Sequence, residues 1–148
     1  MTDRVYRVLM RPRRIQSVLI GLQSERKGLQ LSMLPEAIRY DRDKVMTSPS
    51  DPMTEYAARL DEIDRKLADL QESYLRAQDY VVAITDKLIE QNEKDGPEQA
   101  KAIKLRFLSG MSFSDIARAM HVSDSTMFRR YRQGLSRLND IMTNFDSD

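Results

Sequence analysis

A heptad kept over residues 53–88 constrains the fold more than any other feature of this chain. One apolar set is Met53, Leu60, Leu67, Tyr74, Val81 and Leu88, and the other is Tyr56, Ile63, Leu70, Ala77 and Ile84. Interleaved at three and four residues, they put a coiled-coil seam on a single helix. Asp51-Pro52 opens it, an Asp cap followed by Pro at the first helical position. With an end near Asn92, the helix is about 60 Å long at 1.5 Å per residue. A helix so long and thin cannot bury its seam alone. The seam needs the N-terminal helix, a second copy of the chain, or both.

Composition agrees with an all-α protein. The 148 residues are 41% hydrophobic and 32% charged, with only 5 Gly and 5 Pro and no Trp, so any core comes from Leu, Ile, Val, Met and Ala. The absence of Cys removes disulfides, thiolate zinc sites and Cys nucleophiles together. No apolar run approaches the roughly 20 residues that span a bilayer. The first residues show no signal-peptide core, so a cytoplasmic protein without membrane contact is expected. The near-neutral total hides a segregation: residues 1–50 carry a net +5, residues 51–95 a net −6 and residues 96–148 a net +2. Such blocks read as intramolecular complementarity, solvated faces, or two ends able to lean on phosphates.

Ahead of the heptad helix, Val5, Tyr6, Val8 and Leu9 can start a helix that Pro12 interrupts. Ile15, Val18, Leu19, Leu22 and Leu29 recur at helical spacing from about Arg13 to Leu31. Residues 32–50 read as a connection, with one helical turn near Pro35 to Tyr40. Behind the heptad helix, Gly96-Pro97 stops one helix and starts another. This divides the chain into residues 1–96, a helical coiled-coil region for dimerisation, and residues 97–148. The latter begin with a helix that turns Ala100, Ile103, Phe107 and Leu108 inward, and Gly110 closes it with a left-handed cap.

Residues 112–135, SFSDIARAMHVSDSTMFRRYRQGL, then read as a helix-turn-helix. Ser112 can cap its first helix and Ser123 its second, which continues to about Met142 before a polar, fraying tail. Ile116, Ala117 and Met120 form an apolar stripe that Val122 and Met127 continue across the turn. The second helix of such a motif enters the DNA major groove. Its first turn places Asp124, Ser125 and Thr126 near base edges, and Phe128 and Arg129 follow one turn on. Arg129 can make a bidentate contact to guanine, Phe128 can touch a thymine methyl group, and Asp124 can cap the helix or accept from a cytosine amino group. Ser123, Arg130, Arg132 and Arg137 suit phosphates, and Ser112 and Ser114 can donate to a phosphate at the start of the preceding helix.

From Ala100 to Leu138 the chain resembles region 4 of bacterial sigma factors. The string LRFLSGMSFSDIARAMHVSDSTMFRRYRQGLSRL looks like that region's last three helices. It is closer still to the sigma-like module of small phage transcriptional regulators of the ArpU/RinA type. There too the module follows a long helical part, and Ser125 to Arg129 looks like the recognition-helix string. Two positions depart from the general pattern. His121 sits where Gly is usual, at a turn position that needs a left-handed backbone. Arg130 sits where an apolar residue usually packs inward, so its stem would cover the core while its head reaches water or phosphate. The resemblance implies a phage or prophage transcriptional regulator, an activator of late genes, with host RNA polymerase as a possible contact.

Other readings stay open. A phage small terminase subunit also joins a DNA-reading module to oligomerising helices. A helical adaptor or scaffold would use the same hairpins without nucleic acid. The basic run Arg4, Arg7, Arg11, Arg13 and Arg14 can be a minor-groove arm or a partner for the acidic middle segment. His121 is the single His, so no metal ligand set forms around it, and no cofactor is expected. No phosphate loop, nucleophile elbow or paired acids appear, so the chain is not expected to be an enzyme.

Overall fold

The computed structural model describes residues 2–43 and 51–147, and every element among them is an α-helix. The order is α1 (Thr2–Asp43), α2 (Pro52–Gln91), α3 (Gly96–Phe107), α4 (Phe113–Ala119) and α5 (Asp124–Ser147). Two compact units are formed, one from Met1–Arg14 with Tyr74–Asp148 and one from Ile15–Ser73.

α2 begins as its sequence requires. Asp51 Oδ1 accepts from the Met53 amide at 3.1 Å and its Oδ2 from the Thr54 hydroxyl at 3.1 Å, with Pro52 opening the helix. It ends where Gly96 donates to the Asn92 carbonyl at 2.8 Å. A Cβ on Gly96 would lie 2.5 Å from the Leu88 carbonyl oxygen, so only glycine lets α3 start this close to the end of α2.

α1 differs from its sequence reading. It passes through Pro12 without a break and continues to Asp43, where a connection was expected from residue 32. Residues 44–50 of that connection lie outside the described residues. The reason at Pro12 is tertiary. Val5, Leu9 and Pro12 fall at helical spacing and all three are buried, so packing offsets the hydrogen bond that Pro removes. Arg14 Nη2 donates to the Arg7 carbonyl at 3.1 Å, a contact separate from the Val8 carbonyl that Pro12 leaves without its amide. α5 likewise outlasts its expected end near Met142 and stays helical to Ser147.

The larger unit has one main core. Val5 and Leu9 of α1 meet Val81, Ile84 and Leu88 of α2, Ala100, Ile103 and Phe107 of α3, and Leu138, Ile141 and Met142 of α5. Each large apolar side chain fully buried here stabilises the fold by roughly 1.5–3 kcal/mol. This end of the heptad seam is therefore closed within the chain. The turn at Gly96 ends a helix, but the compact unit around the C-terminal helices also takes in the ends of α1 and α2. Thr85, buried on α2, donates to the Val81 carbonyl at 2.9 Å.

In the smaller unit, Leu19 of α1 and Ile63 and Leu67 of α2 are buried. Arg26 Nε meets Asp64 Oδ1 at 2.6 Å, an ion pair between the two helices. Val18, Ile20, Leu31 and Met53 remain exposed. No described helix is long and apolar enough to cross a membrane.

Candidate nucleic-acid interface

The motif is built from two turns. The first follows α3, where the Met111 amide donates back to the Leu105 carbonyl at 3.0 Å and Gly110 adopts φ +72°. Ser112 then caps α4, its backbone extended at φ −68° and ψ 156° and its Oγ accepting from the Asp115 amide at 3.2 Å. The second turn follows Met120. The Val122 amide donates to the Ala117 carbonyl at 3.1 Å, and His121 takes φ +56°. His121 thus occupies the left-handed backbone that its position demands. Ser123 caps α5, accepting from the Thr126 amide at 3.2 Å and donating to the Thr126 hydroxyl at 3.0 Å.

A second core holds the two helices of the motif together. Ile116, Ala117 and Met120 of the first, Met127 of the second and Ala102 of α3 are buried, with Phe113, Val122, Phe128 and Tyr131 packed around them. Tyr131 lies between Phe107, with ring centroids 6.2 Å apart, and Phe113 at 5.1 Å. Burial pushes its phenol above the usual range, partly offset by the nearby Arg106 charge, so it stays neutral.

These contacts sort the faces of α5. Met127, Gly134, Leu138, Ile141 and Met142 point into the protein. Asp124, Ser125, Arg129, Arg132, Gln133 and Ser136 are exposed. Ser125, Arg129, Arg132 and Ser136 fall four, three and four residues apart and so line one outward stripe. Ser112, Ser114 and Ser123 are exposed as well, and Thr126 is half-buried beneath the Ser123 cap.

Three expected site residues are placed differently. The half-buried ring of Phe128 packs on Phe113 with centroids 4.8 Å apart, so it serves the second core instead of projecting toward a thymine methyl. Arg130 Nη1 pairs with Glu98 Oε2 of α3 at 3.2 Å. Arg137 Nη1 donates to Oε1 of the fully buried Gln99 at 3.1 Å, and the Asn92 amide lies against the same guanidinium. A phosphate role for either arginine would compete with these contacts. The signal was present in the sequence. Residues 130, 134 and 137 recur at four and three, and buried Gly134 between them marks that face as inward.

Two further side chains adjoin the motif. Gln133 is exposed one turn beyond Arg129, and its Oε1 accepts from Gln99 Nε2 at 3.5 Å. Arg106 donates to the Met111 carbonyl at 3.0 Å and lies 4.1 Å over the Phe113 ring, at the entrance to the motif. Among the described residues, no three His, Cys, Asp or Glu side chains gather to hold a metal.

Residues 97–138 match the family model of Sigma-70, region 4. They span most of α3, all of α4 and α5 as far as Leu138. The chain therefore carries a sigma region 4-like helix-turn-helix, a module of DNA-binding regulators. No curated protein and no solved structure matches the chain.

Proposed function

We propose that the chain is a sequence-specific DNA-binding transcriptional regulator of the phage or prophage ArpU/RinA type, acting as an activator of late genes. One observation carries the DNA reading. Ser125, Arg129, Arg132 and Ser136 stand exposed along one stripe of α5, which Ser123 caps and which follows α4, capped by Ser112. The phage type is supported by layout, since two long helices precede the sigma-like module.

In this reading the start of α5 enters the major groove, with Asp124, Ser125 and Thr126 at base edges and Arg129 bidentate to a guanine. Arg132 holds a phosphate, fixing register without reading sequence. Ser112 caps with its oxygen as acceptor, which leaves its proton, like that of Ser114, for a phosphate oxygen. Two copies act together on two half-sites. The heptad end at Val81 to Leu88 is already covered, so the second copy meets another stripe of α2, where Leu75 and Val82 stay exposed seven residues apart. Contact with host RNA polymerase belongs to the same proposal and rests on the sigma likeness alone. No catalytic step is assigned to the chain.

The test is selection of bound duplexes from a random pool by the full chain, with the mass of the complex measured alongside. A recurring two-part site and two chains per duplex are expected. No enrichment over many rounds contradicts the reading, and a ring of many copies favours the terminase alternative.

A further inference from the structure

Two guanidiniums converge on the turn between α3 and α4. Arg13 lies so close to Gly110 that a Cβ there would sit 2.6 Å from one of its terminal nitrogens and 3.0 Å from the other. Arg106 donates to the carbonyl of the next residue, Met111, at 3.0 Å. Neither has a carboxylate partner among the described residues. The acid that follows the turn, Asp115, faces Arg118 at 3.7 Å. Arginine keeps its charge at any physiological pH, so a turn whose consecutive residues Gly110 and Met111 each lie against a guanidinium presents positive charge that an external anion can meet.

Arg13 comes from outside the matched module. It is nevertheless held to it, because Val5, Leu9 and Pro12 are buried and Tyr6 sets its edge against Phe107 with centroids 5.8 Å apart. The residue is thus a fixed part of the unit that carries the motif, on a helix and not on a loose arm. When a helix-turn-helix docks, its first helix crosses the phosphate backbone. Here that helix is α4, which starts directly after the turn carrying both guanidiniums.

We propose that Arg13 is an additional phosphate contact, seating a backbone phosphate of the bound duplex over the α3–α4 turn beside Arg106. The proposal rests on the DNA-binding reading and extends its surface to α1. One neutralised phosphate contributes a slope of about 0.9 in log affinity against log salt.

The full chain is titrated with its selected duplex and with a scrambled one at several salt concentrations, as parent, Arg13→Gln, Arg13→Lys and Arg11→Gln. Arg11 is exposed two residues away, on the other side of α1. Arg13→Gln is expected to make the salt slope shallower by about 1 and to weaken both duplexes about five-fold at 0.15 M salt. Arg13→Lys restores the slope, and Arg11→Gln leaves it as in the parent. The proposal is overturned if Arg13→Gln keeps the parental slope, if Arg11→Gln lowers it equally, or if the loss follows a fall in thermal midpoint at constant slope. A parent that binds no duplex at low salt removes the DNA reading and this contact with it. A binding parent with an unaffected Arg13→Gln removes this contact alone.

Discussion

Arg137 reaches from α5 to the buried Gln99 of α3, its Nη1 donating to the amide oxygen at 3.1 Å. Removing the guanidinium leaves that oxygen without its donor inside the protein, which costs about 1–3 kcal/mol. Arg137→Ala is therefore expected to lower the denaturant midpoint, while the folded fraction binds DNA with parental affinity. Lost affinity at unchanged stability would return Arg137 to the phosphate contacts.

The two left-handed residues of the motif give a second prediction. Gly110 has φ +72° and Arg13 pressed against it, and His121 has φ +56°. Gly110→Ala imposes a left-handed cost of roughly 1–2 kcal/mol and crowds Arg13 as well. His121→Val puts a β-branched side chain where its backbone is least tolerated. Thermal melts should show both variants destabilised and His121→Gly close to the parent. A parental midpoint for Gly110→Ala contradicts the turn geometry.

Phe128 separates packing from readout. Its ring belongs to the second core beside Phe113. Phe128→Ala is expected to cost about 2 kcal/mol, less than the roughly 3–5 kcal/mol of a fully buried Phe. Phe128→Leu should keep the parental preference among duplexes. Specific loss of discrimination at a thymine position in that variant would show that the ring reads bases.

Dimerisation is tested at Leu75 and Val82, exposed by 58% and 37% on α2. Sedimentation of the full chain should give the mass of two copies, and Leu75→Lys with Val82→Lys should give one copy at unchanged helicity. A parent that sediments as a single chain contradicts the dimer.

The parts of the fold legible in the sequence were those set by neighbours along the chain. Asp51-Pro52 opened α2, Ser112 and Ser123 capped the motif, and Gly110 and His121 took positive φ. Each depends on two to four consecutive residues. What escaped was set by distant ones. Pro12 reads locally as a break, but Val5 and Leu9 beside it are clamped in a core whose other members lie more than 70 residues away. On α5, successive residues turn by about 100°, so Met127, Phe128 and Arg129 pass from buried through half-buried to exposed. Phe128 and Arg129 therefore do not share an outward face equally. That Arg130 and Arg137 are held by Glu98 and Gln99 depended on where α3 crosses α5.

The exposed stripe of α5 carries the DNA-binding reading, and Arg129 tests it most directly. Affinities of the parent, Arg129→Ala and Arg132→Ala are measured for the selected duplex and for single-base variants of it. Arg129→Ala should lose about 1–3 kcal/mol of discrimination at one guanine position, and Arg132→Ala should weaken all duplexes alike with a salt slope shallower by about 1. Parental binding by both variants on every duplex would contradict the account.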